Sequence, residues 1–282
     1  LIQLMKPRVM SLVIFTCAVG LLTSPNQIPL LDSLICIFFV TVGAGAAGAL
    51  NMWYEADLDS LMTRTCLRPI PTGKVSKDNA LIFGVVLSIV SIIGLYYFSN
   101  FLSATLLFVT IAFYVFVYTI WLKRKTPQNI VIGGAAGAVP VLIGWSSVTN
   151  SLDWPPVILF LLIFLWTPPH FWALAIRYRE DYSNANVPML PVIEGTKVTG
   201  YRMVLYAFQV WAISLIFVPV ADMGLIYLIS AILLGAIFTF FSFQVMIRPT
   251  QKSAMRLFGF SISYITILFS LIAVDQLVRS GF

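Results

Sequence analysis

Three oxygen-bearing side chains, Asn51, Glu55 and Asp59, follow one another at four-residue intervals where a long apolar run ends. If this stretch extends the preceding segment as a helix, each step turns about 400°, so the three side chains share one face and Asp57 points to the other side. Oxygen donors on one face suit a hard divalent cation such as Mg²⁺, which takes only one or two carboxylates from a protein segment. The alternative is a solvated acidic collar on a membrane helix, and this stretch alone leaves both interpretations open.

Two arginines, Arg64 and Arg68, come next in the sequence, and they are again four residues apart. Guanidinium groups make bidentate contacts with phosphate oxygens, so an acidic face followed by two arginines suits a Mg²⁺–diphosphate. The alternative is anchoring at lipid headgroups, which explains most arginines beside membrane helices. The order of acids, then arginines, then a turn ending at Gly73 favours the diphosphate site.

Two further loops carry charged residues that suit the same site. In one loop Arg177 precedes Asp181 by four residues, so Asp181 could supply a carboxylate opposite the first acidic face. The alternative is an ordinary ion pair within one helical turn, which contributes about 0.2–0.5 kcal/mol. In the other loop Lys123 and Arg124 follow an apolar run and are candidates for a diphosphate clamp, with topological anchoring as the alternative.

His170 is the one histidine of the chain, and it lies within the apolar segment WTPPHFWALAI. It precedes Arg177 by seven residues, about 10 Å along a helix, and therefore lies below the membrane rim. Ionisable groups inside a membrane span are candidates for function, and imidazole binds heme iron or carries protons. The alternative is a neutral histidine bonded to a backbone carbonyl that Pro168 or Pro169 leaves free, and the sequence does not decide between them.

The scaffold that must position these residues is a bundle of membrane helices. Of 282 residues, 60% are hydrophobic and only 10% are charged, and the mean hydropathy is +0.95, which excludes a soluble domain. The three cysteines include no CxxC pair, so neither a disulfide framework nor a zinc site is predicted. Nine apolar runs are long enough to span or nearly span a bilayer: Val9–Leu22, Leu30–Leu50, Leu81–Phe98, Phe101–Leu122, Ile130–Val148, Pro156–Ile176, Val204–Val220, Leu225–Met246 and Leu257–Val278. The predicted fold is therefore all-α, a polytopic membrane protein of nine transmembrane helices in a single domain over residues 1–282.

The basic residues orient this bundle. If successive loops alternate between the two sides of the membrane, all 17 lysines and arginines except Arg279 fall on one side. The positive-inside rule then places the N-terminus and the charged loops in the cytoplasm and the C-terminus outside. We predict a bacterial cell inner membrane rather than the mitochondrial inner membrane, because the sequence shows no transit peptide. Nucleic acid is excluded as a partner, since no basic domain lies outside the membrane.

Several stretches of the chain resemble a known family. One pattern is similar to the first aspartate-rich motif of the intramembrane prenyltransferases, the UbiA superfamily: Asn51-x₃-Glu55-x₃-Asp59, then Arg64-Thr65-x₂-Arg68-Pro69. Five blocks resemble the branch of this superfamily that farnesylates heme: KPRVMSLVIFT, NMWYEADLDSLMTRT, TPQNIVIGGAAGAVP, LWTPPHFWALA and DYSNANVPMLPV. These blocks run from residue 6 to residue 192, and the last three helices add only hydropathy.

The resemblance implies a fold and a reaction. The family fold has nine transmembrane helices around a central cavity, with acidic motifs in the loops after helices two and six. The implied reaction transfers a farnesyl group from farnesyl diphosphate to a vinyl group of heme b, with Mg²⁺ as the cofactor. The implied partners are heme b, farnesyl diphosphate, membrane lipids and other heme A or terminal-oxidase assembly proteins. A prenyltransferase acting on an aromatic quinone precursor is the alternative.

The resemblance also assigns roles to the residues above. Asn51, Glu55, Asp59 and Asp181 are the implied catalytic metal ligands, His170 the heme-binding residue, and the implied diphosphate-binding residues are Arg64, Arg68, Lys123, Arg124 and Arg177. The chain departs from the superfamily pattern at Arg177, where many members carry a carboxylate. Fewer metal ligands remain than a typical two-Mg²⁺ site uses, and an arginine there could bind diphosphate or a heme propionate.

Overall fold

The computed structural model describes residues 1–26 and 28–280, and helices are the regular secondary structure of those residues. In chain order the helices are α1 (Pro7–Leu22), α2 (Leu30–Tyr54), α3 (Ala56–Leu61), α4 (Lys77–Phe98), α5 (Phe101–Ala112), α6 (Asn129–Thr149), α7 (Trp154–Arg177), α8 (Arg179–Asn184), α9 (Leu190–Ile193), α10 (Gly195–Val220), α11 (Leu225–Ile247) and α12 (Gln251–Ser280). A 3₁₀ turn, Ile2–Met5, precedes α1, and a π-helix, Phe113–Leu122, continues α5.

All nine predicted spans are helical in the structure. Within the described ranges, eight helices are long and apolar enough to cross a membrane, and Val9–Leu22 forms a shorter apolar helix. The all-α, polytopic fold class is therefore confirmed. Three short helices, α3, α8 and α9, lie in the two long charged loops.

The described chain packs as two compact units. The first consists of Leu1–Arg124, Val139–Leu152 and Asn184–Asn186, and the second consists of Lys125–Ala138, Asp153–Ser183 and Val187–Phe282.

Close helix packing in the first unit depends on small residues. A Cβ on Gly20 of α1 would clash with the carbonyl oxygen of Val141 in α6, and a Cβ on Gly144 would clash with the carbonyl oxygen of Cys17. The backbones of α1 and the second half of α6 therefore touch, as small residues permit in membrane helices. α2 packs along α4, and Gly84 of α4 lies against Leu50, just before the acidic residues at the C-terminal end of α2.

The second unit is built around α7, which packs against α10 and α12. The indole of Trp166 in α7 donates a hydrogen bond of 2.9 Å to the carbonyl oxygen of Ser261 in α12. The carboxylate of Asp275, also in α12, accepts hydrogen bonds from the backbone N–H groups of Gly224 at 2.6 Å and Tyr227 at 3.1 Å. These N–H groups open α11, so Asp275 caps that helix from a neighbouring one.

The π-helix changes which residues of the fourth span share a face. The N–H of Lys123 bonds to the carbonyl oxygen of Tyr118, five residues earlier, as π-helical geometry requires. Tyr114 and Lys123 are nine residues apart, so an α-helix would turn them through about 900° and place them on opposite sides. At about 4.4 residues per turn a π-helix places them on nearly the same side. Tyr114 accordingly lies within electrostatic reach of both Lys123 and Glu55.

Candidate active site

Asn51, Glu55 and Asp59 share a buried face at the end of α2. Glu55 lies between α2 and α3, but its N–H bonds to the carbonyl oxygen of Asn51 at 3.0 Å, and the N–H of Asp59 bonds to that of Glu55 at 2.8 Å. The helical path therefore continues through the three residues. They are only 1–2% exposed, whereas the side chain of Asp57 is 59% exposed. The geometry agrees with the predicted helical extension and excludes a collar solvated on all sides.

Both buried carboxylates are paired with basic side chains. The Nζ of Lys123 donates to Oε2 of Glu55 at 2.5 Å. One guanidinium nitrogen of Arg68 lies 2.7 and 2.8 Å from the two carboxylate oxygens of Asp59. Charge-assisted hydrogen bonds of this kind are among the stronger ones in proteins, and these two are largely shielded from water. Two of the predicted diphosphate-binding residues, Lys123 and Arg68, therefore lie at the predicted metal ligands.

Lys6 is a third cation at this cluster. Its backbone is in the left-handed region, with φ 55° and ψ 59°, between the 3₁₀ turn and α1. Its ammonium group donates to the side-chain oxygen of Asn51. Burial, and next the positive charge of Arg68, lower the pKa of Lys6 to about 7. An anion bound at the cluster would relieve this repulsion between cations.

Thr119 orients the amide of Asn51. The Nδ2 of Asn51 donates to the hydroxyl of Thr119 at 3.0 Å, and Thr119 is fully buried. The amide oxygen of Asn51 therefore points to Lys6, since its nitrogen is held on the other side. Thr119 contacts Asn51, and Lys123, at the end of the π-helix, contacts Glu55. The residues of each segment are four positions apart, so the two contacts lie side by side.

One carboxylate oxygen of the cluster is not satisfied. Oε1 of Glu55 is buried and has no hydrogen-bond partner among the described residues. A buried, unpaired carboxylate oxygen is costly, so a cation or a hydrogen-bond donor bound at this position stabilises it. Within residues 1–26 and 28–280, no three His, Cys, Asp or Glu side chains form a metal-binding group. The carboxylates of Glu55 and Asp59 beside the amide oxygen of Asn51 suit an ion such as Mg²⁺, because it binds to one or two carboxylates and completes its shell with phosphate oxygens and water.

Arg124 is turned away from the buried carboxylates. It makes a two-pronged ion pair with Asp57 at 2.8 and 2.9 Å on the exposed side, and its guanidinium group lies 5.4 Å from the ring centre of Tyr54. The hydrogen bond from Arg124 lowers the pKa of Asp57, and the same bond raises the pKa of Arg124. Its predicted role in diphosphate binding remains a prediction.

Arg64 and Arg68 do not continue the helix, although their spacing suggested a pair on one face. Met62 has extended backbone angles, which ends α3, and the residues that follow form turns. The hydroxyl of Thr65 donates to the carbonyl oxygen of Asp59 at 3.0 Å and folds the chain back. Arg68 thereby returns to Asp59, while the side chain of Arg64 is exposed.

The second predicted motif lies in the second unit. α7 ends at Arg177, which is exposed and donates to the side-chain oxygen of Gln251. Asp181 is half-buried on the short helix α8. The helix is interrupted at Tyr178, between the two residues. The predicted metal role of Asp181 and the predicted diphosphate role of Arg177 remain predictions.

His170 is held on three sides within the second unit. Its ring is 9% exposed and stacks between Trp166, at 4.4 Å between ring centres, and Phe258, at 4.5 Å. The edge of Phe171 approaches at 5.0 Å. Its Nδ1 lies 2.6 Å from the hydroxyl oxygen of Ser261. The partner of the imidazole is therefore a serine of α12 rather than a carbonyl that the prolines leave free.

Three residues of these clusters were not predicted from sequence: Lys6, Thr119 and Ser261. Lys6 counted only as one of the basic residues on the predicted cytoplasmic side, although the Lys-Pro that opens α1 lies within a block that resembles the family. Thr119 and Ser261 are isolated hydroxyls in apolar runs, and hydroxyls are common in membrane helices. No pattern in the sequence distinguishes them from other serines and threonines.

The chain belongs to the UbiA prenyltransferase family, whose family model matches residues 12–266. It is 52% identical over 282 residues to protoheme IX farnesyltransferase of Pelagibacter ubique, covering 99% of this chain and 93% of that protein. It is 46% identical over 283 residues to protoheme IX farnesyltransferase of Parvibaculum lavamentivorans, covering 99% of this chain and 89% of that protein. The resemblance inferred from the sequence motifs is thereby confirmed.

Solved structures with low sequence identity share the fold. The structure of a digeranylgeranylglyceryl phosphate synthase matches with a TM-score of 0.80 at 20% identity, covering 97% of this chain and 96% of that one. A UbiA homolog from Archaeoglobus fulgidus bound to DMAPP and Mg²⁺ matches with a TM-score of 0.70 at 14% identity, covering 95% and 99%. These matches confirm the predicted fold class.

Proposed function

We propose that this chain transfers the farnesyl group of farnesyl diphosphate to a vinyl group of heme b. A bond forms between C1 of the farnesyl group and the terminal vinyl carbon, water adds a hydroxyl to the other vinyl carbon, and diphosphate and one proton leave. The relatives support these substrates, because proteins 46–52% identical over nearly the whole chain are protoheme IX farnesyltransferases. The observation that carries the chemistry is the buried cluster around Glu55, where one carboxylate oxygen lacks a partner among the described residues.

In this proposal the oxygens of the first motif hold Mg²⁺. Asn51, Glu55 and Asp59 supply side-chain oxygens, and the role of Asp181 as a further ligand stays a prediction. When bound, the ion neutralises charge on the diphosphate and makes it a better leaving group. The unpaired oxygen of Glu55 supports this assignment, since its burial is otherwise uncompensated.

The basic side chains of the cluster stabilise the departing diphosphate. Lys6, Lys123 and Arg68 already donate to the three predicted metal ligands, so they stand within reach of an anion bound to the same ion. Donors aimed at the place where negative charge develops lower the barrier without reorganising during the reaction. Three further cations contribute positive charge farther from the diphosphate, or they pair with the heme propionates: Arg64, Arg124 and Arg177.

Aromatic rings beside the cluster protect the allylic cation that remains after diphosphate departs. The rings of Tyr114 and Tyr118 lie 5.3 Å apart on the π-helix, and the Nζ of Lys123 is 5.9 Å from the ring centre of Tyr118. The faces of aromatic rings attract cations, and apolar surroundings keep bulk water from the carbocation. The π-helix supports this role, because it turns Tyr114 and Lys123 to one side.

Heme b binds at His170 in this proposal, within the membrane and about 10 Å from the end of α7.

The protein lies in a bacterial cell inner membrane with the N-terminus and the charged loops in the cytoplasm, as the basic residues favour. Membrane lipids surround it, and proteins of heme A and terminal-oxidase assembly take up the product. Mitochondrial inner membrane is the alternative location.

A substrate competition tests the proposed function. Membranes from cells expressing the chain receive farnesyl diphosphate and Mg²⁺ with either heme b or 4-hydroxybenzoate, and mass spectrometry follows the product. We expect heme b to gain one farnesyl group and one water, 4-hydroxybenzoate to stay unchanged, and a chelator to stop the reaction. Consumption of 4-hydroxybenzoate but not heme b would replace this proposal with a quinone-precursor prenyltransferase.

A further inference from the structure

Ser261 of α12 contacts three residues at the one histidine of the chain: Trp166 and His170 of α7, and Phe258 of its own helix. Its backbone carbonyl oxygen accepts the indole hydrogen bond of Trp166 at 2.9 Å. Its hydroxyl oxygen lies 2.6 Å from Nδ1 of His170 and 2.6 Å from the carbonyl oxygen of Phe258. Ser261 itself is fully buried. One residue of α12 therefore holds two positions of α7, one helical turn apart.

The hydroxyl has one proton, and the two contacts compete for it. The carbonyl oxygen of Phe258 has no proton to donate, so the hydroxyl of Ser261 must donate to it. The contact between Ser261 and His170 then requires a proton on Nδ1, with the hydroxyl oxygen as the acceptor. A neutral imidazole protonated on Nδ1 carries its lone pair on Nε2. The network therefore selects one tautomer of His170.

The ring plane of His170 is held as well as its tautomer. The rings of Trp166 and Phe258 both stack on the imidazole, with interplanar angles of 19° and 22°. Together with the bond at Nδ1, this stacking prevents rotation of the imidazole. Nε2 is the other nitrogen of the ring. A histidine that binds a metal through Nε2 needs this nitrogen unprotonated and fixed in direction, and the bond at Nδ1 provides both.

We propose that Ser261 is a positioning residue that holds His170 as an axial ligand of the heme iron through Nε2. The inference rests on the proposed function, in which heme b is the substrate. Its consequence is substrate selection: the protein binds metalloporphyrins that accept an axial nitrogen more tightly than the metal-free porphyrin of the same shape. A histidine retained only for packing gives no such preference, because the apolar contacts of the two porphyrins are the same.

The test compares two porphyrins on the purified full chain in detergent. Zinc protoporphyrin IX accepts one axial ligand and its Soret band moves to the red on ligation, whereas protoporphyrin IX has no metal. The ratio of the two dissociation constants isolates the metal–nitrogen bond, and general loosening of the fold lowers both affinities alike. We expect the wild type to prefer the zinc porphyrin, with a red-shifted Soret band.

The variants separate ligation from positioning. His170→Ala should bring the ratio to about one and abolish the red shift. Ser261→Ala should lower the ratio about 10-fold or more, as loss of an outer partner of a metal-binding histidine does. Ser263→Ala, a matched control on the exposed side of α12, should leave it unchanged. If the alanine protein does not fold, Ser261→Cys provides the test, since its sulfur is a weak acceptor of similar size.

The possible outcomes test three statements separately: positioning by Ser261, ligation by His170, and the proposed function. An unchanged ratio in folded Ser261→Ala or Ser261→Cys overturns the positioning role and leaves ligation by His170 standing. A wild-type ratio in His170→Ala overturns ligation, and therefore the whole inference. In that case, heme farnesylation in the membrane assay of the substrate competition leaves the proposed function standing. Absence of both porphyrin binding and heme farnesylation in the wild type overturns the proposed function itself.

Discussion

Glu55 in the first unit and Asp275 in the second are both carboxylates with 1% of their surface exposed, yet their partners differ. Asp275 accepts hydrogen bonds on both oxygens from backbone N–H groups at the start of α11. Glu55 accepts one bond from the long side chain of Lys123, and its other oxygen has no partner within the described residues. Asp275 is therefore fully satisfied by the fold, whereas Glu55 is not.

The difference separates a structural acid from a functional one. Backbone donors cannot move away without unfolding α11, so the fold holds both oxygens of Asp275 in place. A lysine side chain can rotate to a bound anion without unfolding a helix, and an unpaired buried oxygen stabilises a cation that reaches it. Burial alone, which is the same for both residues, does not distinguish the two roles.

The largest expected effect follows from removing the buried acids of the first motif. Asp59→Ala and Glu55→Gln should each lower heme O formation by about 10²–10³, because the developing diphosphate charge loses its metal ligands. Heme extracted from the membranes is quantified by mass spectrometry and divided by the amount of folded protein. Asp57→Asn is the matched control, two residues away on the exposed face, and should stay within about twofold. Unchanged heme O formation by Asp59→Ala would falsify the metal site.

The next largest effect is on the KM for farnesyl diphosphate, and it separates two neighbouring cations, Lys123 and Arg124. Lys123→Met should raise the KM for farnesyl diphosphate about 10- to 100-fold, since hydrogen bonds to charged groups contribute about 1.5–3 kcal/mol. Arg124→Met removes an exposed ion pair and should change KM by less than about threefold. Initial rates at varied farnesyl diphosphate measure both. Equal losses in the two variants would show that Arg124 leaves Asp57 to bind the substrate.

The smallest expected effect is on stability alone. Asp275→Ala should destabilise the protein by about 1–2 kcal/mol, because α11 loses its cap and two N–H groups lose their acceptor. Activity per folded molecule should stay the same. Thermal unfolding in detergent, with Asp222→Ala as a control at the exposed partner of Arg279, gives the comparison. A loss of activity without a loss of stability would contradict the structural role of Asp275.

Hydropathy was sufficient to predict the helical architecture. Each of the nine apolar runs became a helix, because a segment in lipid must satisfy its backbone hydrogen bonds internally. Local periodicity also placed Asn51, Glu55 and Asp59 on one buried face and Asp57 on the other, since helical geometry depends only on nearby residues. The interruption at Glu55 did not disturb this, because the i to i+4 hydrogen bonds continue through it.

The partners of these residues could not be predicted, because partner choice depends on contacts between distant segments. Equal spacing suggested that Arg64 and Arg68 act together, but Met62 ends the helix and only Arg68 returns to Asp59. Lys123 and Arg124 are adjacent in sequence and equally basic, yet they pair with acids on opposite sides of the α2–α3 helical path. The sequence contains no signal for either choice.

The sequence by itself determined the membrane fold, the family and the face that carries the acids, since hydropathy and helical period are local properties of the chain. Only the tertiary structure decided that Glu55 has an oxygen without a partner among the described residues while Asp275 does not, and that Ser261 lies against Nδ1 of His170. These outcomes depend on partners 51 to 91 positions away in the sequence: Lys123 for Glu55 at 68, Gly224 for Asp275 at 51, and Ser261 for His170 at 91. Packing brings such hydrogen-bond partners to a carboxylate or an imidazole, and packing is not a local property of the chain.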